Sequence, residues 1–203
     1  MTSTGYHRFD LLSNSMAPYF YLSYARADRS LLIKRFYDDL VDTIRIHLGK
    51  CEHEAIGFYE DTVYEHHSEW TAESAKALRT SAVLVPLLSP AYLRDDHAGR
   101  EWQIFEMRQQ LQGGRLAKDL SASNFQSPVM PITWIDWQGS APEVISKARL
   151  VGAHEASVHQ EQPISTMLKL IANSAGTYAA FMRMLADSII ERRRVIQLPP
   201  LTS

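Results

Sequence analysis

A chain of 203 residues with 45% hydrophobic content can bury one sizeable core but scarcely two full domains. Its formal charge of -2 and isoelectric point near 6.4 give no general electrostatic attraction for nucleic acid or an anionic membrane surface, so neither is an expected partner. Cys51 is the single cysteine, which excludes an internal disulfide; with no apolar run near the roughly 18 residues of a bilayer span and no signal-like N-terminus, a cytoplasmic setting is expected.

Residues 1–17 are polar and aperiodic and read as a flexible lead-in. The aromatic stretch YFYLSY (19–24) predicts a strand ending at the polar turn ARADRS. From Leu32, Phe36, Leu40, Ile44 and Leu48 recur at helical spacing until Gly49. AIGFY (55–59) predicts a second strand before an acidic, histidine-containing loop, and WTAESAKALRT is rich in helix formers. SAVLVPLLS (81–89) is apolar without alternation, as in a parallel strand covered on both faces. Ser89-Pro90 has the form of a cap followed by a short helical turn.

GREWQIFEM (99–107) opens another helix, with Gly113-Gly114 as its expected stop and Ile104, Met107 and Leu111 as its expected buried stripe; Trp102 and Glu106 then face elsewhere together. PVMPITWIDW (128–137) predicts a further strand, in which Pro131 marks an irregular or edge position. Two helices follow, at about 163–172 and 177–194, the second burying Tyr178, Phe181, Met182, Leu185 and Ile189. ERRR (191–194) suits the negative end of that helix and reads as a solvated terminus; residues 196–203 read as a tail or a linker cut short. Strands alternating with helices predict an α/β fold with a parallel sheet, its ligands bound outside the carboxyl ends of the strands.

YFYLSYARAD, GFYEDTVYEHHSEW, ALRTSAVLVPLLSPAYL and GREWQIFE, in that order, resemble a Toll/interleukin-1 receptor (TIR) domain, most of all the bacterial TIR-like domains of the FxsC type. The resemblance implies a flavodoxin-like fold with five parallel strands, helices on both faces and an extra C-terminal helix, over residues 18–195. In many bacterial members it implies cleavage of NAD+ at the nicotinamide-ribose bond, with NAD+ as substrate and no bound cofactor. Such enzymes use a glutamate in a W-x-x-x-E pattern on the third helix, which Trp102 and Glu106 match, so Glu106 is the expected catalytic carboxylate and Trp102 a wall of the pocket. Trp102 packed beneath a neighbouring loop is the alternative.

Tyr24, Arg26, Phe58 and Asp61 fall where the family places pocket residues and the start of its gating loop. Ala25 stands where relatives carry a basic residue, and an Arg26 paired with Asp28 is the competing reading. His66-His67-Ser68 replace the loop's usual glycine. The resemblance further implies self-association through TIR-TIR contacts, a sensor domain or operon partner, and a role in antiphage defence or signalling. A non-catalytic scaffold and a cyclase making a cyclic ADP-ribose-type signal remain open beside the hydrolase. Cys51, His53, His66 and His67 fit no standard zinc spacing.

Overall fold

The computed structural model describes residues 17–49, 55–61, 70–116, 127–137, 163–169, 171–196 and 198. Its strands are β1 (Phe20–Tyr24), β2 (Gly57–Tyr59), β3 (Val83–Leu88) and β4 (Ile132–Thr133). The helices are α1 (Leu31–Leu48), α2 (Ala72–Thr80), α3 (Asp96–Leu116), α4 (Ile164–Lys169) and α5 (Ile171–Val195), with 3-10 turns at Arg26–Asp28 and Tyr92–Arg94. The sheet is parallel, in the order β2-β1-β3-β4. That order belongs to a doubly wound α/β fold. Four strands lie among the described residues, where the resemblance implied five.

Alternation along β1 and β3 feeds two cores, because successive side chains leave opposite faces of a strand. Phe20, Leu22, Val83, Val85 and Leu87 meet Ile33, Phe36, Leu40 and Ile44 of α1 and Phe181, Leu185 and Ile189 of α5. Tyr21, Leu84 and Leu88 meet Ala77 and Leu78 of α2 and Ala98, Trp102 and Phe105 of α3. A strand buried on both sides has no solvent face to keep polar, which explains the unbroken apolar run in β3.

Helix ends follow local chemistry. Gly49 adopts φ 60° at the end of α1, a left-handed conformation that glycine takes without strain, and its N–H bonds back to the carbonyls of Arg45 and Ile46. Thr71 caps α2 by accepting from the Ser74 N–H at 3.0 Å. Ser89 Oγ accepts from Tyr92 N at 2.9 Å, giving the expected cap on the turn after β3. Pro131 lies between the isolated Leu84–Val129 bridge and β4, the irregular place where a missing N–H costs least.

Three expectations are corrected. First, the stripe on α3 is wrong: Met107 and Leu111 are 47% and 51% exposed and Ile104 is half-buried. The buried side instead carries Ala98, Glu101, Trp102, Phe105, Arg108 and Gln112. Arg108 can go inside because its Nη1 donates to the carbonyls of Leu78 and Ser81 at 2.9 and 2.7 Å. Second, α3 continues to Leu116, through Gly113-Gly114, and α5 begins at Ile171 rather than 177. A glycine pair weakens a helix by about 2 kcal/mol relative to alanine and does not oblige it to stop.

The third correction concerns ERRR. Glu191 and Arg194 are exposed, but Arg192 Nε donates to Ser127 O, and Arg193 Nη1 donates to the carbonyls of Ala17 and Pro18 at 2.7 and 3.0 Å. The Arg193 guanidinium also lies 4.0 Å over the Tyr19 ring, so this helix end fastens the chain entering β1.

Candidate active site

The connection after β1 leads to a helix on one face of the sheet and that after β3 to a helix on the other, so the carboxyl ends of these neighbouring strands border the crevice where doubly wound sheets bind ligands. Two side chains of β1 point from there toward α3. Tyr21 Oη donates to Glu101 Oε1 at 2.8 Å and Ser23 Oγ donates to Glu101 Oε2 at 2.5 Å. Ser23 Oγ also lies 3.0 Å from Tyr92 Oη.

Glu101 is 4% exposed. Burial disfavours its charged form and raises its pKa to about 7, while the hydrogen bonds from Ser23 and Tyr21 work in the opposite direction. Burial likewise pushes the Tyr21 and Tyr92 hydroxyls far up, which keeps both protonated at neutral pH. His97, one helical turn earlier, brings Nε2 to 3.7 Å from Glu101 Oε1 and 3.9 Å from Glu60 Oε2. That nitrogen is buried and makes no hydrogen bond to the described residues. Burial, followed by the charge of Arg26, lowers its pKa, so the ring is neutral at pH 7. The Trp70 ring meets it edge-on at 5.1 Å.

Of the four other sequence-predicted residues, Phe58 packs on the α3 side of the sheet, whereas Tyr24 packs against the α1/α5 core on the other face. Tyr24 Oη donates to Glu60 O at 2.5 Å, and burial pushes its pKa up to about 12. Phe58 stacks on Tyr21 with ring centroids 5.4 Å apart. Asp61 pairs with Arg29 at 3.1 Å. Arg26 is exposed, and its backbone N–H donates to Asp95 Oδ2 at 3.3 Å; Asp28 accepts from Ser89 Oγ.

Trp102 and Glu106 lie elsewhere. Trp102 Nε1 donates to Glu106 Oε1 at 3.0 Å, and the indole is 6% exposed within the α2/α3 core. Both residues line a groove of about 680 Å³ with Tyr92, Arg94 and Arg100. Glu106 lies five positions after Glu101, which places them about 140° apart around the helix. The expected set is thereby divided. Phe58 stacks on Tyr21 beside Glu101, Tyr24 and Asp61 lie toward α1 and Arg29, and Glu106 occupies another flank of α3 with Trp102.

Glu101, His97 and Glu60 were not anticipated. A histidine and a glutamate one helical turn apart, H-A-G-R-E, directly after the loop from β3, are the local signal that could have marked them. Among the described residues, no group of three or more His, Cys, Asp and Glu is arranged to hold a metal. Cys51, His53, His66 and His67 lie outside the described residues.

No described helix is long and apolar enough to cross a membrane. No curated protein and no solved structure matches the chain. A family model described as TIR domain matches residues 20–151, without distinguishing the FxsC-type branch. That span takes in the sheet, α3 and every residue of the site just described, and it covers more than half of the sequence: the chain belongs to the TIR domain family.

Proposed function

We propose that the protein cleaves the nicotinamide-ribose bond of NAD+, with a carboxylate of α3 facing the ribose. The carrying observation is Glu101: a buried carboxyl at the carboxyl ends of β1 and β3, held by Tyr21 and Ser23 and beside Phe58, which stacks on Tyr21. Perturbed acids in such crevices are candidates for chemistry. Glu106 is the carboxylate that the W-x-x-x-E pattern nominates, and its groove gives it access to solvent. Glu101 is preferred because it is bonded to β1 beside Phe58 and borders, through His97, Glu60 at the end of β2.

Departure of nicotinamide breaks the C1′–N bond, and the bonding pair leaves with the ring nitrogen, which becomes neutral. No general acid is needed. The ribosyl cation left behind is oxocarbenium-like, as in glycoside hydrolysis, and a carboxylate beside the ribose hydroxyls stabilises it. Water then adds to C1′, releasing one proton and ADP-ribose. Capture by the adenine base instead gives a cyclic product. His97, whose Nε2 is buried without a hydrogen bond 3.7 Å from Glu101 Oε1, is the side chain beside this carboxyl that a ribose hydroxyl would meet.

Self-association is part of the proposal, since the family resemblance implies pockets completed by a neighbouring copy. A scaffold without catalysis is the second reading, favoured by the exposed Met107 and Leu111 on the outer side of α3. Incubation with NAD+ and chromatography of free nicotinamide separates the two. Turnover that rises with protein concentration supports catalysis by an assembly; no nicotinamide at high protein concentration with a crowding agent supports the scaffold. Product mass distinguishes ADP-ribose from its cyclic form.

A further inference from the structure

We propose that the groove on the outer flank of α3 binds the diphosphate of an adenine nucleotide through Arg94 and Arg100. The inference rests on the chain acting on an adenine dinucleotide, and it does not use the expected pocket residue Arg26, which does not line this groove. A volume of about 680 Å³ falls within the range of ligand pockets.

The polar groups of the groove divide into committed and uncommitted. Glu106 accepts from the Trp102 indole. Asp95 accepts from the backbone N–H groups of Arg26, His97 and Ala98, at 3.3, 2.9 and 3.2 Å. Asp96 is exposed in the first turn of α3. Arg94 and Arg100 make no ion pair or side-chain hydrogen bond among the described residues, although Arg29 and Arg45 each find an aspartate. Guanidinium groups left unpaired beside a concave surface suit phosphate oxygens, which accept two parallel N–H bonds from each.

Tyr92 joins this groove to the buried carboxyl. It lines the groove, while its hydroxyl meets Ser23 Oγ, which donates to Glu101. One side chain therefore separates the phosphate site from the network around Glu101. The nucleotide's source is either the substrate itself or a separate effector, and both present the same diphosphate.

ADP-ribose is the probe, titrated by calorimetry into the wild-type chain and into Arg94→Ala/Arg100→Ala, with Arg26→Ala alongside. The double variant is expected to weaken binding by at least about tenfold, consistent with the loss of charge-assisted hydrogen bonds. Arg26→Ala should weaken binding less than the double variant does. Unchanged affinity in the double variant, or stronger dependence on Arg26, overturns the site. In turnover, a KM for NAD+ raised with kcat retained assigns the diphosphate to the substrate; arginine-dependent binding that does not compete with NAD+ assigns it to an effector. Arginine-dependent binding without any turnover sinks the hydrolase and leaves the site standing, whereas turnover accompanied by ADP-ribose binding indifferent to both arginines does the reverse. Circular dichroism melting establishes that the double variant is folded.

Discussion

A carboxyl group that is buried yet hydrogen-bonded by neutral hydroxyls carries a definite pH signature. Glu101 titrates near 7 in the folded chain and near 4.5 when exposed, so the folded state holds the extra proton between those values. Stability from this group is complete below about pH 4.5 and is lost as pH rises through about 7. The full difference is on the order of 3 kcal/mol. His97, with its lowered pKa, acts oppositely: its neutral folded form makes the chain less stable as pH falls below 6.5. Glu101→Gln keeps an amide that can bond Tyr21 and Ser23 but cannot titrate. Denaturant melts of this variant between pH 5 and 8 should show a flatter decline with rising pH than wild type. Equal slopes would mean that Glu101 is not the buried acid described. In the proposed reaction the carboxylate is the working form, so turnover should rise as pH climbs through about 7.

At the level of elements, α3 shows what sequence could and could not supply. Its existence, the strand before it and the serine cap between them were legible from helix formers, an apolar run and Ser89-Pro90. Its orientation was not. Apolar periodicity chose Ile104, Met107 and Leu111, when the same helix also offers Ala98, Trp102 and Phe105 at i, i+4 and i+7. The choice between these stripes rests on Glu101 and Arg108, which go inside only because Tyr21 and Ser23, about eighty residues away, and the end of α2 satisfy them. No local window contains those partners. Arg108 thus ties α3 to the carbonyls that end α2, and Arg108→Ala leaves Leu78 O and Ser81 O without it. We expect a loss of about 3 kcal/mol in chemical denaturation, and Arg108→Lys, which lacks the planar fork, should recover only part. A loss under about 0.5 kcal/mol would show that α2 and α3 hold together by their apolar contacts alone.

For the whole molecule, the strand order β2-β1-β3-β4 decides which side chains meet. It places the ends of β1 and β3 together and α3 above them. The α/β class followed from alternation of strands and helices, and the topology from the family resemblance. The division of the candidate site did not follow from either, because a W-x-x-x-E spacing fixes one turn of helix without fixing which side meets the sheet. Trp102 and Glu106 do hydrogen-bond across that turn, but Glu106 lines the outer groove while Glu101 is the carboxyl bonded to β1. The central claim is that the acid beneath β1 performs the chemistry. Single-turnover release of nicotinamide from NAD+ by Glu101→Gln and Glu106→Gln, both folded by circular dichroism, tests it most directly. The account predicts a loss of at least about a hundredfold for Glu101→Gln, a typical cost of removing electrostatic transition-state stabilisation, and a change of less than about tenfold for Glu106→Gln. The opposite ranking would contradict it.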